Sequence, residues 1–100
     1  MLKGSQKKYL RGLAHNTRPL VHIGQHGLSE AVVRQLDQAL DIHELIKVKY
    51  LTDDREEKAE LTTDIARHLR AEMVGTLGHT AIFYRQQPDP EKRRVKVPGR

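Results

Sequence analysis

Cysteine is absent from this 100-residue chain, and so is tryptophan. Without a thiol there is no disulfide, no thiolate nucleophile and no cysteine-ligated zinc. Aromatics are scarce, and Tyr9, Tyr50, Phe83 and Tyr84 are the whole set. That is too few for a sheet surface that reads bases by stacking. Ser5 and Ser29 are the only serines, and neither sits in a nucleophile elbow. No apolar run approaches the roughly 20 residues a bilayer span needs. Met1 to Arg11 carries charge but no apolar h-region, so no secretory signal is read there and the cytoplasm is the expected compartment.

Acid is missing from one stretch in particular. Residues 1–29 hold Lys3, Lys7, Lys8, Arg11 and Arg18 and no Asp or Glu. Residues 30–84 carry seven bases and eleven acids, and residues 85–100 six bases and two acids, which together give the net +5. Both ends are basic and the middle is mildly acidic. Two basic ends on one small domain fit a polyanionic partner, because each phosphate contact releases counterions.

With 37% hydrophobic and 31% charged residues, the length supports one domain with one core. Apolar periodicity divides it into elements. Ser5 to His15 reads as a helix with Leu2, Gln6, Tyr9, Leu10 and Leu13 on its buried stripe. Lys3, Lys7 and Arg11 fall on the other side, with Lys8 nearby. Pro19 ends that segment. Leu20 to Ile23 is a short strand, and Gly24-Gln25-His26-Gly27 a tight loop. Ser29 caps a second helix that runs to about Asp41. Its buried stripe is Val32, Val33, Leu36, Ala39 and Leu40.

Glu44 to Leu51 is the second strand. Ile46, Val48 and Tyr50 alternate with Leu45, Lys47 and Lys49, so part of one sheet face meets solvent or ligand. Asp54 and Glu57 have capping-box spacing at the start of a third helix ending near Ala71. Leu61, Ile65, Ala66 and Leu69 are its core side. Met73 to Thr76 and Ala81 to Tyr84 form a final strand pair around the Gly78-His79 turn. Gln86 to Arg100, with three prolines, reads as a basic tail with little core.

The order is α-β-α-β-α-β-β. It predicts a single α/β domain with a small four-stranded mixed sheet and packed helices. The domain occupies residues 1–85 and the tail residues 86–100.

The glycine loop is the sharpest local feature. Two glycines let the backbone turn and let a ligand approach closely. The loop leads into a helix N-terminus, where free N–H groups favour anions. It is too short for a Walker loop and lacks the dinucleotide-binding pattern. His26 can donate to a phosphate or stack on a base. Six histidines raise the question of a metal, but His22 and His26 are split by a strand end and a turn. His15, His43, His68 and His79 are scattered, so no metal site and no cofactor is read. Asp41 and His43 have no nucleophile beside them, and the acids at 53–57 are explained by the helix N-terminus. No catalytic constellation and no small-molecule substrate emerge. Tyr84-Arg85 ends the last strand, where Tyr84 is either core or a stacking surface.

Four stretches carry a resemblance. They are Gln6 to His15, Ile23-Gly24-Gln25-His26-Gly27-Leu28-Ser29-Glu30, His43 to Lys49, and Gly78 to Arg85. In order and spacing they are similar to the YhbY-like family of bacterial proteins, stand-alone CRM (chloroplast RNA splicing and ribosome maturation) domains. The resemblance implies a compact α/β domain related in topology to the C-terminal domain of bacterial initiation factor three. It also implies RNA binding, with association to precursors of the large ribosomal subunit. Gly24 and Gly27 would shape a backbone-clamping loop, and Gln25 and His26 would face phosphates or bases. Many plant CRM domains have basic residues between the two glycines, a departure that lowers this loop's electrostatic pull.

The reading is therefore a non-catalytic, monomeric RNA-binding protein of ribosome assembly. Lys3, Lys7, Lys8 and Arg11 track phosphates and the glycine loop approaches closely. Arg18, Lys47, Lys49, Arg85, Lys92, Arg93 and Arg94 widen the footprint. The alternative is a protein-interaction module that docks a ribosomal or assembly protein through its acidic third helix, near Asp53 to Glu60.

Overall fold

Apolar side chains alternate along each strand, and they face two separate cores. The computed structural model describes every residue except Gln25 and Arg100. Its elements are α1 (Gly4–Ala14), β1 (Val21–Ile23), α2 (Glu30–His43), β2 (Leu45–Tyr50), α3 (Arg55–Leu69), β3 (Glu72–Leu77) and β4 (Thr80–Tyr84). A short 3-10 turn, Pro90–Lys92, follows. This is the α-β-α-β-α-β-β order expected from the sequence.

The four strands lie in the order β1-β2-β4-β3. β1 runs parallel to β2, as a strand–helix–strand crossover requires. β4 is antiparallel to both β2 and β3 and fills the place between them. The sheet is thus mixed. Gly78 takes φ +58° in the β3–β4 turn, a conformation a side chain resists.

One face packs under α2 and α3. Ile23, Ile46, Val48, Ala81 and Phe83 from the strands meet Leu36, Leu40, Leu61 and Ile65 from the helices. Fully burying Phe83 contributes about 1.5–3 kcal/mol. The helix starts follow their caps. The Ser29 hydroxyl accepts from the Val32 N–H, and the Asp54 carboxylate accepts from the N–H groups of Glu56 and Glu57. Glu57 does not reach back as a capping box would; its carboxylate accepts from the Thr52 hydroxyl at 3.2 Å. Arg70 closes α3 in the left-handed region, so the helix stops at Leu69, short of Ala71.

The other face packs under α1. Leu2, Leu10 and Ala14 meet Val74, Ile82 and Tyr84 there. Tyr84 is therefore core, with no open ring face. Tyr9 and Leu13, placed on the buried stripe by periodicity, stand out to solvent at 43% exposure each. The narrow sheet accepts only the Gln6–Leu10–Ala14 line, so the flanking positions stay uncovered.

Residues 86–100 also depart from expectation. Val97 is buried and Val95 half-buried in the α1-side core. These two valines alternate with exposed Arg94, Lys96 and Pro98, the period of an extended strip with one apolar side. Composition alone hid that pattern. Gln6 donates to Pro98 O at 2.8 Å and ties the segment to α1.

Candidate functional site

The first-helix cations divide into two groups. Lys7 and Arg11 turn toward the edge strand β3. Lys7 lies 3.6 Å from the Glu72 carboxylate. Arg11 donates to Val74 O at 2.8 Å, and its aliphatic stem crosses Gly75. Any Cβ at Gly75 would collide with Arg11 Cδ, so the glycine makes room for that stem. The helix contains no acid, but the fold supplies one. Lys3, just before α1, and Lys8 are exposed, and neither makes an ion pair among the described residues.

Beyond α1 the same sheet face is open. β1 pairs His22 with Lys49, β4 pairs Thr80 with Lys49, and β3 pairs Leu77 with Thr80. These residues form one row across the sheet. His22 and Lys49 are exposed. Lys47, one row back, donates its ammonium to Thr17 O at 3.1 Å, beside the last carbonyls of α1. A cation there suits a helix C-terminus. Arg18 is exposed on the adjoining connection. His22 was missed by sequence reasoning. The signal was available, since the middle residue of Val21-His22-Ile23 must face opposite to its apolar neighbours.

The glycine loop bounds this row at the end of β1. Gly27 N–H donates to Gly24 O at 3.1 Å and closes the turn, with Gly27 at φ +58°. A Cβ at Gly24 would stand 3.6 Å from Leu51 Cδ1, so exposed Leu51 backs the loop. His26 projects to solvent. Gln25 lies outside the described residues. The α2 N-terminus behind the loop is less receptive to anions than the motif implies. Its Val32 and Val33 N–H groups are taken by Ser29, and Glu30 adds negative charge.

Arg85 is not part of this face. Its guanidinium bonds Asp37 Oδ1 at 2.8 Å, Asp41 Oδ1 at 2.9 Å, and the carbonyls of Leu69 and Asp37. Only 19% of the side chain is exposed. It joins α2 to the end of α3, so the structure places it apart from the other cations expected in the footprint. In the tail, Arg93 donates to Gln87 O at 2.8 Å and holds a local turn, while Lys92 and Arg94 are exposed.

Among the described residues, no group of three His, Asp or Glu is placed to hold a metal ion. No helix of the described chain is long and apolar enough to cross a membrane. The Tyr50 hydroxyl, bonded to Thr62 at 2.7 Å, has its pKa raised by burial, with the hydrogen bond opposing part of that rise.

The family described as "CRS1 / YhbY (CRM) domain" matches residues 2–85. The chain belongs to the CRM domain family. A Haemophilus influenzae relative named "RNA-binding protein" is 40% identical over 97% of this chain and 95% of its own length. YqeI of Bacillus subtilis, named a "Probable RNA-binding protein", is 32% identical over 98% of this chain and 100% of its own. The solution structure of a Staphylococcus aureus protein superposes with a TM-score of 0.80 at 36% identity. That match covers 96% of this chain and 100% of that one. The CRM match stops at residue 85, whereas the ordered segment that covers α1 continues past it.

Proposed function

We propose that this CRM domain binds RNA without catalysing a reaction, as a monomeric cytoplasmic factor acting on precursors of the large ribosomal subunit. The observation that carries the reading is the open row His22–Lys49–Thr80, which joins the α1 side of the sheet to the glycine loop. Lys49 is exposed in that row and His26 in the loop at its end, with Arg18 exposed on the connection before β1 and Lys3 and Lys8 exposed at α1. The names of two close relatives supply the class of ligand. Lys8 and Lys49 contact phosphates, and Gly24 and Gly27 let the RNA backbone come close to the loop. Lys92 and Arg94 extend the contact from the tail. Lys7 and Arg11 hold the helix to β3 and contribute a weaker, shared charge. Specificity comes from RNA shape, because aromatic readers are few.

Sedimentation of cell lysate through a sucrose gradient tests the assignment. At low salt the protein travels with large-subunit precursors, and at high salt it is released, as phosphate contacts require. A protein that stays at the top of the gradient at low salt overturns the ribosomal assignment. Replacing Lys8 and Lys49 with Ala flattens the salt dependence of binding to a ribosomal RNA fragment; an unchanged slope overturns the surface. The acidic outer side of α3 is the alternative docking site, for a basic protein. An association that survives nuclease treatment and is lost on charge reversal at Glu56 and Glu60 would favour it.

A further inference from the structure

On the far side of the sheet from α1, a groove of about 580 Å³ runs between α3 and the β3–β4 hairpin. That size lies within the roughly 300–1,000 Å³ typical of small-molecule sites. Arg55, Lys58 and Thr63 line it from α3, and Met73 and Thr76 from β3. Positions 55, 58, 59, 62 and 63 form one helical stripe. The acids of α3 lie off that stripe, and two of them are engaged elsewhere. Glu57 accepts from Thr52, and Asp64 lies 4.0 Å from Arg67. Among the described residues, neither Arg55 nor Lys58 makes an ion pair. A helix that reads as acidic therefore turns two cations into a cleft. The floor is settled, because Tyr50 bonds Thr62, whose own hydroxyl donates to Lys58 O. Met73 is 36% exposed and offers a thioether surface, which suits the face of an aromatic ring.

We infer that this groove seats one unpaired nucleotide. Arg55 and Lys58 hold its phosphate, the base lies on Met73, and the Thr63 and Thr76 hydroxyls meet its polar edge. Gly78 lines the groove, and the turn it belongs to leads into Thr80 in the open sheet row. A strand leaving that row reaches the groove around a single turn. The inference rests on the RNA-binding reading only in taking RNA as the source of the nucleotide.

The chain has two methionines, so a methyl-labelled sample gives Met73 a signal of its own. The full chain is titrated with adenosine monophosphate, with a short single-stranded oligoribonucleotide and with inorganic phosphate. Adenosine monophosphate and the oligoribonucleotide shift the Met73 methyl and leave Met1 in place. Replacing Arg55 and Lys58 with Ala weakens the mononucleotide about tenfold, equivalent to about 1.4 kcal/mol, while the free Met73 signal keeps its position. RNA that shifts the His26 and Lys49 amides but not Met73 overturns the groove and leaves the RNA-binding reading intact. Mononucleotide that shifts Met73 while RNA shifts nothing supports the groove, identifies a free nucleotide as its ligand and removes the RNA-binding reading. Phosphate that moves Met73 as far as the nucleotide does overturns the seat for a base.

Discussion

The Glu44 carboxylate accepts the Val95 backbone N–H at 2.8 Å, across 51 positions of chain. Its oxygens also take the N–H groups of Gln87 and Arg94, and its own carbonyl accepts from Arg85 N–H. Glu44 is fully buried and sits at φ +62° at the end of α2. One side chain thus satisfies three tail amides and fixes residues 87–95 against the body. Replacing Glu44 with Ala leaves those donors without an acceptor, and the unfolding free energy falls by about 2–4 kcal/mol. Hydrogen exchange at Gln87, Arg94 and Val95 accelerates more than exchange in β2. Unchanged protection at those three amides would show that the valines alone hold the tail.

Arg85 gives a prediction that separates stability from binding. Its guanidinium fills four acceptors from α2 and α3 at once. A lysine cannot span them with one ammonium. Asp37 and Asp41 are more than half exposed, which reduces the worth of the ion pairs. Arg85→Lys therefore costs about 1–2 kcal/mol in urea unfolding. RNA affinity of the folded variant stays within about twofold, because the lost contacts face away from the α1 side. A large loss of affinity without a loss of stability would return Arg85 to the footprint.

These two residues also mark what the sequence could and could not disclose. Period-2 and period-3.6 patterns place the strands and helices to within a few residues, and Ser29 and Asp54 announce their helices through short-range capping. Local pattern is silent about partners far along the chain. Arg85 reads as one more cation at a strand end until α2 brings Asp37 and Asp41 to it. Lys7 and Arg11 read as free until β3 arrives beside them. Which sheet face α1 covers is likewise a matter of packing, and it decides that Tyr9 and Leu13 are open while Tyr84 is closed. Val95 and Val97 do alternate, but the prolines and charges around them hide a strip only two side chains long. Of the candidate surface, Lys49 was legible from alternation, and His22 should have been by the same rule.

The glycine loop separates backbone shape from charge. Gly27 holds φ +58°, while a side chain there would find only Leu61 Cδ2, at 3.7 Å. Space is adequate and conformation is not. Gly27→Ala costs about 1–2 kcal/mol through the left-handed backbone alone. The substitution also shifts the loop enough to lower RNA affinity about three- to tenfold, read at a temperature where the variant is folded. His26→Ala leaves stability within about 0.5 kcal/mol and lowers affinity more modestly. A Gly27→Ala variant that binds as well as the parent would move the contact off the loop and onto the sheet row.

Tyr50 sets the behaviour at alkaline pH. Burial raises the pKa of its hydroxyl above the unfolded value of 10.0, and the Thr62 hydrogen bond offsets only part of this. The folded chain therefore holds the phenolic proton more tightly than the unfolded chain does. Stability from this group is fully present below the unfolded value and is lost as pH rises through the folded one. Urea unfolding measured from about pH 9 upward shows a decline that Tyr50→Phe removes. At neutral pH the same substitution deletes the bond to Thr62 and costs about 0.5–1.5 kcal/mol. The parent and variant stability curves consequently converge as the solution becomes alkaline. Parallel curves would mean that the unfolded chain keeps this hydroxyl equally shielded, and the decline would then belong to the lysines.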